Sequence, residues 1–301
     1  MVPSPARGRA VATALLVLVT AIWGSTFFLI RDLLVSLPAT DFLASRFTIA
    51  ALLMLVIFWG PVRRLRRREW VVGLGLGVVY AAAQLLQTVG LASTDASVSG
   101  FITGTYVVLT PVLSALLLRE RLGRVTWYAV GLASLGLAVL SLRGLSIGAG
   151  EALTLACAVV YALHIIGLGR WSTLDHATGM AAVQMVAIAV VSVGAALPGG
   201  VRLPSGSGQW AAVLYMATAA GVFAMWAQTW AQARMTATRA AIVMTLEPVF
   251  AALFAVGFGQ EGPTVRMLVG GVLVLAAMYV VELRGRRSGA PPSEALHHDV
   301  T

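Results

Sequence analysis

Two formally charged side chains, Arg46 and Glu247, fall inside blocks of sequence that are otherwise apolar. At the centre of a membrane helix each would cost about 2.5 to 3.5 kcal/mol on insertion scales, so each needs a compensating role. Helical rise puts Arg46 roughly 10 Å from the outer end of its block and Glu247 roughly 10 Å from the inner end of its own, too far apart to pair directly. For Arg46 the heavier reading is structural or gating, as a snorkelling side chain or a donor to helix-end carbonyls. Glu247 is a candidate for substrate binding and proton coupling. Pro248 follows it, lacks an N–H, and frees the carbonyl four residues earlier for some donor other than a backbone amide.

Other polar side chains gather at mid-depth. Tyr80, Gln84 and Gln87 recur at spacings of four and three, which makes one polar stripe on an apolar helix. The stripe reads as a cavity lining, against the alternative that it joins helices by hydrogen bonds. Tyr106, Tyr161 and His164 come out at similar depth, His164 as a relay or, more commonly for a lone intramembrane histidine, a packed residue. Trp23, followed by Ser25 and Thr26, and Trp226 are candidate walls of the same cavity, with core packing as the alternative. Gln228 joins them as the repeat-mate of Gln87.

The elements that must carry these residues are membrane helices. Of 301 residues 59% are hydrophobic and 11% charged, less than half the ~25% charged fraction of a soluble domain. The apolar residues form ten blocks, at 10–30, 39–60, 70–91, 96–118, 125–142, 152–168, 178–197, 210–231, 240–258 and 263–281, each near the ~20 residues needed to cross hydrocarbon. Continuous apolarity selects helices over the alternating strands of a barrel. The longest connector, 198–209, is too short to hold a catalytic domain, so whatever the protein does happens inside the membrane. The apolar run at the start continues too far for a cleaved signal and reads as a first span.

A net charge of +9 would point to nucleic acid in a soluble protein. Here all 21 cationic residues are arginine and they cluster between apolar blocks. With the amino terminus inside, sixteen arginines fall on inner segments and four on outer ones, which puts both termini in the cytoplasm. Nucleic acid is excluded as a partner; the lipid bilayer and a small molecule remain. One cysteine, Cys157, allows no intrachain disulfide or Cys-rich metal site. Walker A, H-E-x-x-H and G-x-S-x-G patterns are missing, so no cofactor, metal or enzymatic role is expected. Gly73 with Gly77, and Gly100 with Gly104, have the spacing of close helix approach.

Sliding the chain by 141 positions superposes Gln87-Thr88 on Gln228-Thr229, Ala92 on Ala233, Ala96 on Ala237, Tyr106 on Glu247 and Glu120 on Glu261. Earlier in each half the offset is 138, matching Trp23 with Tyr161 and Arg46 with Gln184. The chain therefore divides into a cytoplasmic tail 1–9, five-helix repeats at 10–143 and 149–283, and a polar cytoplasmic tail 284–301 expected to be disordered. An odd helix count inverts the second repeat relative to the first. That is the plan of a secondary transporter with a midplane site between halves.

Taken together, Trp23-Gly24-Ser25-Thr26, Arg46, Glu120, Leu246-Glu247-Pro248 and Glu261 resemble the ten-helix EamA-type members of the drug/metabolite transporter superfamily over about residues 10–283. The resemblance implies a small-solute carrier, often an exporter of amino acids, related metabolites or toxic compounds, with a central cavity. Glu120, Pro248 and Glu261 would be structural or gating residues. Two features depart from the pattern. Val107 stands where the repeat aligns Pro248, with Pro111 a turn later, so the fourth helix is expected to break at another depth; and Arg119 and Gln260 precede the two acids where glycine is common.

The leading expectation is a metabolite exporter working by alternating access in the cytoplasmic membrane of a bacterium, the all-arginine, Ala/Gly/Val-rich composition pointing to a GC-rich genome. Flux against a gradient separates it from a passive facilitator, and acyl-chain dependence from a lipid flippase. A non-transporting assembly partner would not need buried Arg46 and Glu247.

Overall fold

The computed structural model describes residues 5–94, 96–119, 122–141, 148–257 and 263–287. Among them the regular structure is helical throughout. In chain order the helices are α1 (Pro5–Gly24), α2 (Thr26–Leu34), α3 (Ala39–Arg63), α4 (Arg67–Leu91), α5 (Ala96–Gly104), α6 (Tyr106–Leu117) and α7 (Arg124–Ser141). The second half holds α8 (Ala149–Trp171), α9 (Ala177–Ala196), α10 (Gly206–Ala217), a π turn at Thr218–Phe223, α11 (Ala224–Gln232), α12 (Ala237–Met244), α13 (Leu246–Gly257) and α14 (Val265–Arg287).

Among the described residues seven stretches are long and apolar enough to cross a membrane: Gly8–Leu34, Ala39–Arg63, Arg67–Leu91, Ala149–Trp171, Ala177–Gly199, Gly206–Gln232 and Ala237–Phe254. Shorter apolar helices run at Ile102–Leu117 and Leu268–Ala277. The expected tails are partly helical. Pro5 already begins α1, and α14 continues to Arg287, so 284–287 are ordered; Glu120, Glu261 and residues 288–301 lie outside the described residues.

Several blocks that read as single helices are broken, and the reason is local. At Thr105 and Thr245 both the backbone N–H and the side-chain hydroxyl donate to the carbonyl three residues back, Ile102 and Ile242 respectively. A hydroxyl competing for that carbonyl tightens the turn and ends the regular ladder. Ser25 separates α1 from α2 in a related way, its Oγ donating to the Ile22 carbonyl at 2.6 Å. The fourth segment thus breaks at Thr105, within one residue of the position matching Thr245 in the second half, and not at another depth as expected; Pro111 sits inside α6. Pro111 stays within a helix, whereas both breaks coincide with a threonine bonded twice to one carbonyl.

Close packing rests on small residues. A methyl group at Gly77 would lie 2.5 Å from the Gln184 carbonyl and one at Gly73 3.0 Å from the Val183 side chain, so α4 runs against α9 backbone to backbone. At Gly24 the α1 backbone touches that of α13, where a methyl would sit 2.8 Å from the Glu247 carbonyl. Gly75, between the first two, meets nothing within 4 Å. Gly100 is not a tight contact, its nearest neighbour being the Phe27 ring at 3.9 Å.

The helix pairs have a pattern. The most extensive contacts join α3 to α9, α7 to α14, and α4 to both α8 and α9, while α1 packs on α11 and α13. Charged residues at helix starts act as caps. Glu69 accepts the Arg66 N–H at the start of α4, and Glu151 the Gly148 N–H at the start of α8. Glu69 also lies 3.6 Å from His176, tying the two connectors together.

Candidate functional site

The broken helices, together with α3, α4 and α8, surround a cavity. From the first half it is lined by Trp23, Thr26, Arg46, Tyr80, Gln84, Gln87 and Tyr106; the second half adds Tyr161, Gln228 and Glu247. The sequence picked out all ten, although it assigned Arg46 a structural or gating role. Phe27, Ile30, Leu91, Thr103, Ile165 and Met244 complete the wall and were missed. Five of those six are apolar, and in a chain this hydrophobic an apolar side chain carries no sequence signal of facing a void. Thr103 could have been found as the residue one helical turn before Tyr106.

The polar stripe on α4 both lines the cavity and joins helices. Gln84 Nε2 donates to the Tyr80 hydroxyl at 3.2 Å and to the Tyr161 hydroxyl of α8 at 2.5 Å. Tyr161 in turn donates to Gln87 Oε1 at 3.0 Å, and Gln87 Nε2 to Thr103 Oγ1 at 3.3 Å. The donors are thereby committed in one direction along a chain spanning α4, α8 and α5. This fixes the rings in place before any solute arrives.

Arg46, 3% exposed, makes the carbonyl bonds its structural reading called for. Nε donates to the Met216 carbonyl at 3.2 Å and a terminal nitrogen to the Ala220 carbonyl at 3.4 Å. The Trp23 indole donates to the same Ala220 carbonyl at 3.1 Å. A π turn shifts the ladder to i→i+5 and presents carbonyls to side chains; here they receive a guanidinium that has no carboxylate beside it among the described residues. Its plane lies over the Phe47 ring, 4.8 Å from the centroid. Arg46 therefore supports the π turn and forms part of the cavity wall at once.

Glu247, 8% exposed, accepts no hydrogen bond among the described residues. The carbonyl that Pro248 deprives of its amide is that of Met244, and it accepts the Tyr106 hydroxyl at 2.9 Å. Pro248 thus shapes the site through a neighbour.

Three candidates do not reach the cavity. Ser25 sits at the α1–α2 break, bonded to the Tyr215 hydroxyl at 2.7 Å. His164 lies behind the wall, its Nε2 2.9 Å from Gln184 Oε1 and its ring edge-on to Tyr80 with centroids 4.9 Å apart. Trp226 points to α9 and donates to Thr178 Oγ1 at 3.2 Å. In each case the side chain leaves its helix on the face toward a neighbouring helix, an angle that residue type and depth do not specify.

A bundle of apolar helices enclosing a polar, partly aromatic cavity at mid-length is the architecture of a multi-pass membrane protein that handles a small solute. Residues 11–142 and again 148–283 match the EamA-like transporter family, and the chain belongs to that family. A protein of Archaeoglobus fulgidus described as an uncharacterized transporter is 33% identical over 270 residues, covering 89% of this chain and 85% of its own. A solved crystal structure shares the fold with a TM-score of 0.77 at 19% identity, over 93% of this chain and 99% of the other. The protein is thus a membrane transporter of the drug/metabolite type.

Proposed function

We propose that the protein is a secondary carrier that exports a small polar or amphipathic metabolite, amino acid-like or drug-like, by alternating access. In this reading ten segments cross the cytoplasmic membrane as two inverted five-helix repeats, and both termini are cytoplasmic. The helix pairing supports it. If the fifth segment after each is its mate, α3–α9 and α7–α14 are pairs of mates, while α4–α8 is matched by α1–α11, and α1–α13 by α8 with α5 and α6. A twofold relation predicts that set of pairs.

One observation carries the transport site: Arg46 from the first half and Glu247 from the second line a single cavity with no hydrogen bond or ion pair to each other. Buried charges left unneutralised by one another are available to a polar solute or a proton. The lining extends from Tyr106 and Glu247 to Ile30 and Leu91, near the 34–39 and 91–96 connectors. With the termini inside, the cavity opens outward. Candidate binding residues are the polar and aromatic side chains of the wall, and Glu247 is the proton-coupled group.

The test compares extracellular metabolites of cells overproducing the wild type and Glu247→Gln at equal membrane levels. A solute enriched outside by the wild type alone identifies a substrate class and makes Glu247 functional. Enrichment by both proteins demotes Glu247 to a structural residue, and enrichment by neither removes constitutive export as the function. Concentrative counterflow in proteoliposomes separates the carrier from a passive facilitator.

A further inference from the structure

Among the hydrogen bonds that join the two halves, the one from Tyr106 to the Met244 carbonyl has no counterpart at the matching position. Tyr106 and Glu247 are repeat-mates at an offset of 141, and so are Thr103 and Met244. The register holds in three dimensions. Gln87 Nε2 contacts the Thr103 side chain at 3.3 Å, and its mate Gln228 Nε2 contacts the Met244 side chain at 3.9 Å. The breaks at Thr105 and Thr245 fall within one residue of that register. Yet Tyr106 donates to the Met244 carbonyl, whereas Glu247 makes no matching bond to the Thr103 carbonyl.

In an inverted-repeat carrier the opposite-facing state is approached by exchanging the arrangements of the two halves. The exchange of Tyr106→Met244 O is Glu247→Thr103 O. A phenol always has a proton to donate; a carboxylate has none, and a carboxylic acid has one. We propose that Tyr106 and Glu247 are alternative latches: the Tyr106–Met244 bond holds the state seen here, and protonated Glu247, donating to the Thr103 carbonyl, holds the opposite one. The proposal rests on the alternating-access reading and supplies its means of proton dependence.

The titratable groups facing Glu247 are Tyr106 on α6, Tyr80 on α4, and Tyr161 and Cys157 on α8, with Arg46 of α3 on the same cavity wall. Arg31 and Asp32 of α2, Arg266 and Tyr279 of α14 are exposed, and Arg239 lies two turns away at the start of α12. Arg46 is engaged by the Met216 and Ala220 carbonyls. The group whose donor capacity appears on protonation is Glu247.

The experiment measures labelling by a membrane-impermeant maleimide in nanodiscs, in a Cys157→Ala background. Ile30→Cys reports the mouth of the present cavity and Ala240→Cys the packed opposite end. Glu247→Gln, whose amide donates at any pH, is expected to raise labelling at Ala240→Cys about fivefold, the weight of one hydrogen bond, and to abolish its pH dependence. Tyr106→Phe is expected to raise it similarly while leaving the rise at low pH intact. Wild-type protein that labels at both ends, with both variants unshifted or with Tyr106→Phe favouring Ile30→Cys, overturns the latches and leaves alternating access standing. Wild-type protein that never labels at Ala240→Cys overturns both.

Discussion

The cavity's two ends are built on matching positions with different side chains. At the closed end Leu16, Ala231, Met235, Ala240 and Met244 belong to one buried apolar cluster. Their repeat-mates are Thr154, Gly90, Thr94, Ser99 and Thr103, of which Thr103 lines the cavity. At every pair the mate is the smaller or more polar residue. Gln232, the mate of Leu91, adds a polar tie at the closed end by donating to the Ile165 carbonyl at 2.9 Å. Methionine and leucine fill volume and lose contacts if water enters; threonine and serine hydroxyls bond a local carbonyl or water and tolerate a hydrated space. On the alternating-access reading, this inequality of side chains predicts that the apolar cluster is the harder of the two ends to hydrate.

Substitutions at both ends, three of them copying the repeat-mate, test this. The largest effect is expected at Gly90, where a methyl would lie 2.7 Å from Thr154 Oγ1 and 2.8 Å from the Gly150 carbonyl. Gly90→Leu should separate α4 from α8 and abolish a monodisperse peak in detergent size-exclusion chromatography. Gly75→Leu, with nothing within 4 Å, should leave the peak intact, so two equally destructive leucines would refute the packing argument. Thr103→Met, copying Met244, should fill part of the cavity, remove the acceptor of Gln87 Nε2 and cut counterflow about tenfold, with a loss of about 1 kcal/mol in thermal melts. A fall in midpoint without loss of flux would contradict a solute-contacting wall.

Met235→Thr should work in the reverse direction. It is expected to cost about 1 to 3 kcal/mol as a cavity and an added buried hydroxyl, read from thermal melts, and to expose Ala240→Cys to labelling. Gln232→Leu removes one buried tie, worth about 1 kcal/mol, and should shift the same labelling a few-fold; unchanged labelling would mean the bond does not hold the closed end. Trp226→Phe has the smallest expected effect. It loses the Thr178 bond on the side away from the cavity, so counterflow should change by less than about twofold and stability by about 1 kcal/mol.

The site was more legible than the path of its helices. Polar residues at mid-depth announce themselves in an apolar chain because water is not there to receive them, which is why Tyr80, Gln84, Tyr106, Tyr161 and Glu247 could be singled out. The π turn at Thr218–Phe223 left no comparable mark. Its sequence is small and apolar, and what sustains it comes from Trp23 and Arg46, distant in the chain. The fourth helix was expected to break at another depth because Val107 stands where the repeat aligns Pro248, yet the break lies at Thr105, within one residue of the match to Thr245, where a threonine is bonded twice to one carbonyl.

The sequence by itself determined an all-helical membrane chain, its two-part repeat and the polar residues that lipid cannot host, since these follow from hydropathy, length and the missing solvent. Only the tertiary structure decided which of those residues share a cavity, that Ser25, His164 and Trp226 do not, and that Tyr106 holds the carbonyl freed by Pro248. Such choices depend on the angle at which each side chain leaves its helix and on the few tenths of an ångström by which glycine lets two backbones meet. Neither is a property of any one segment.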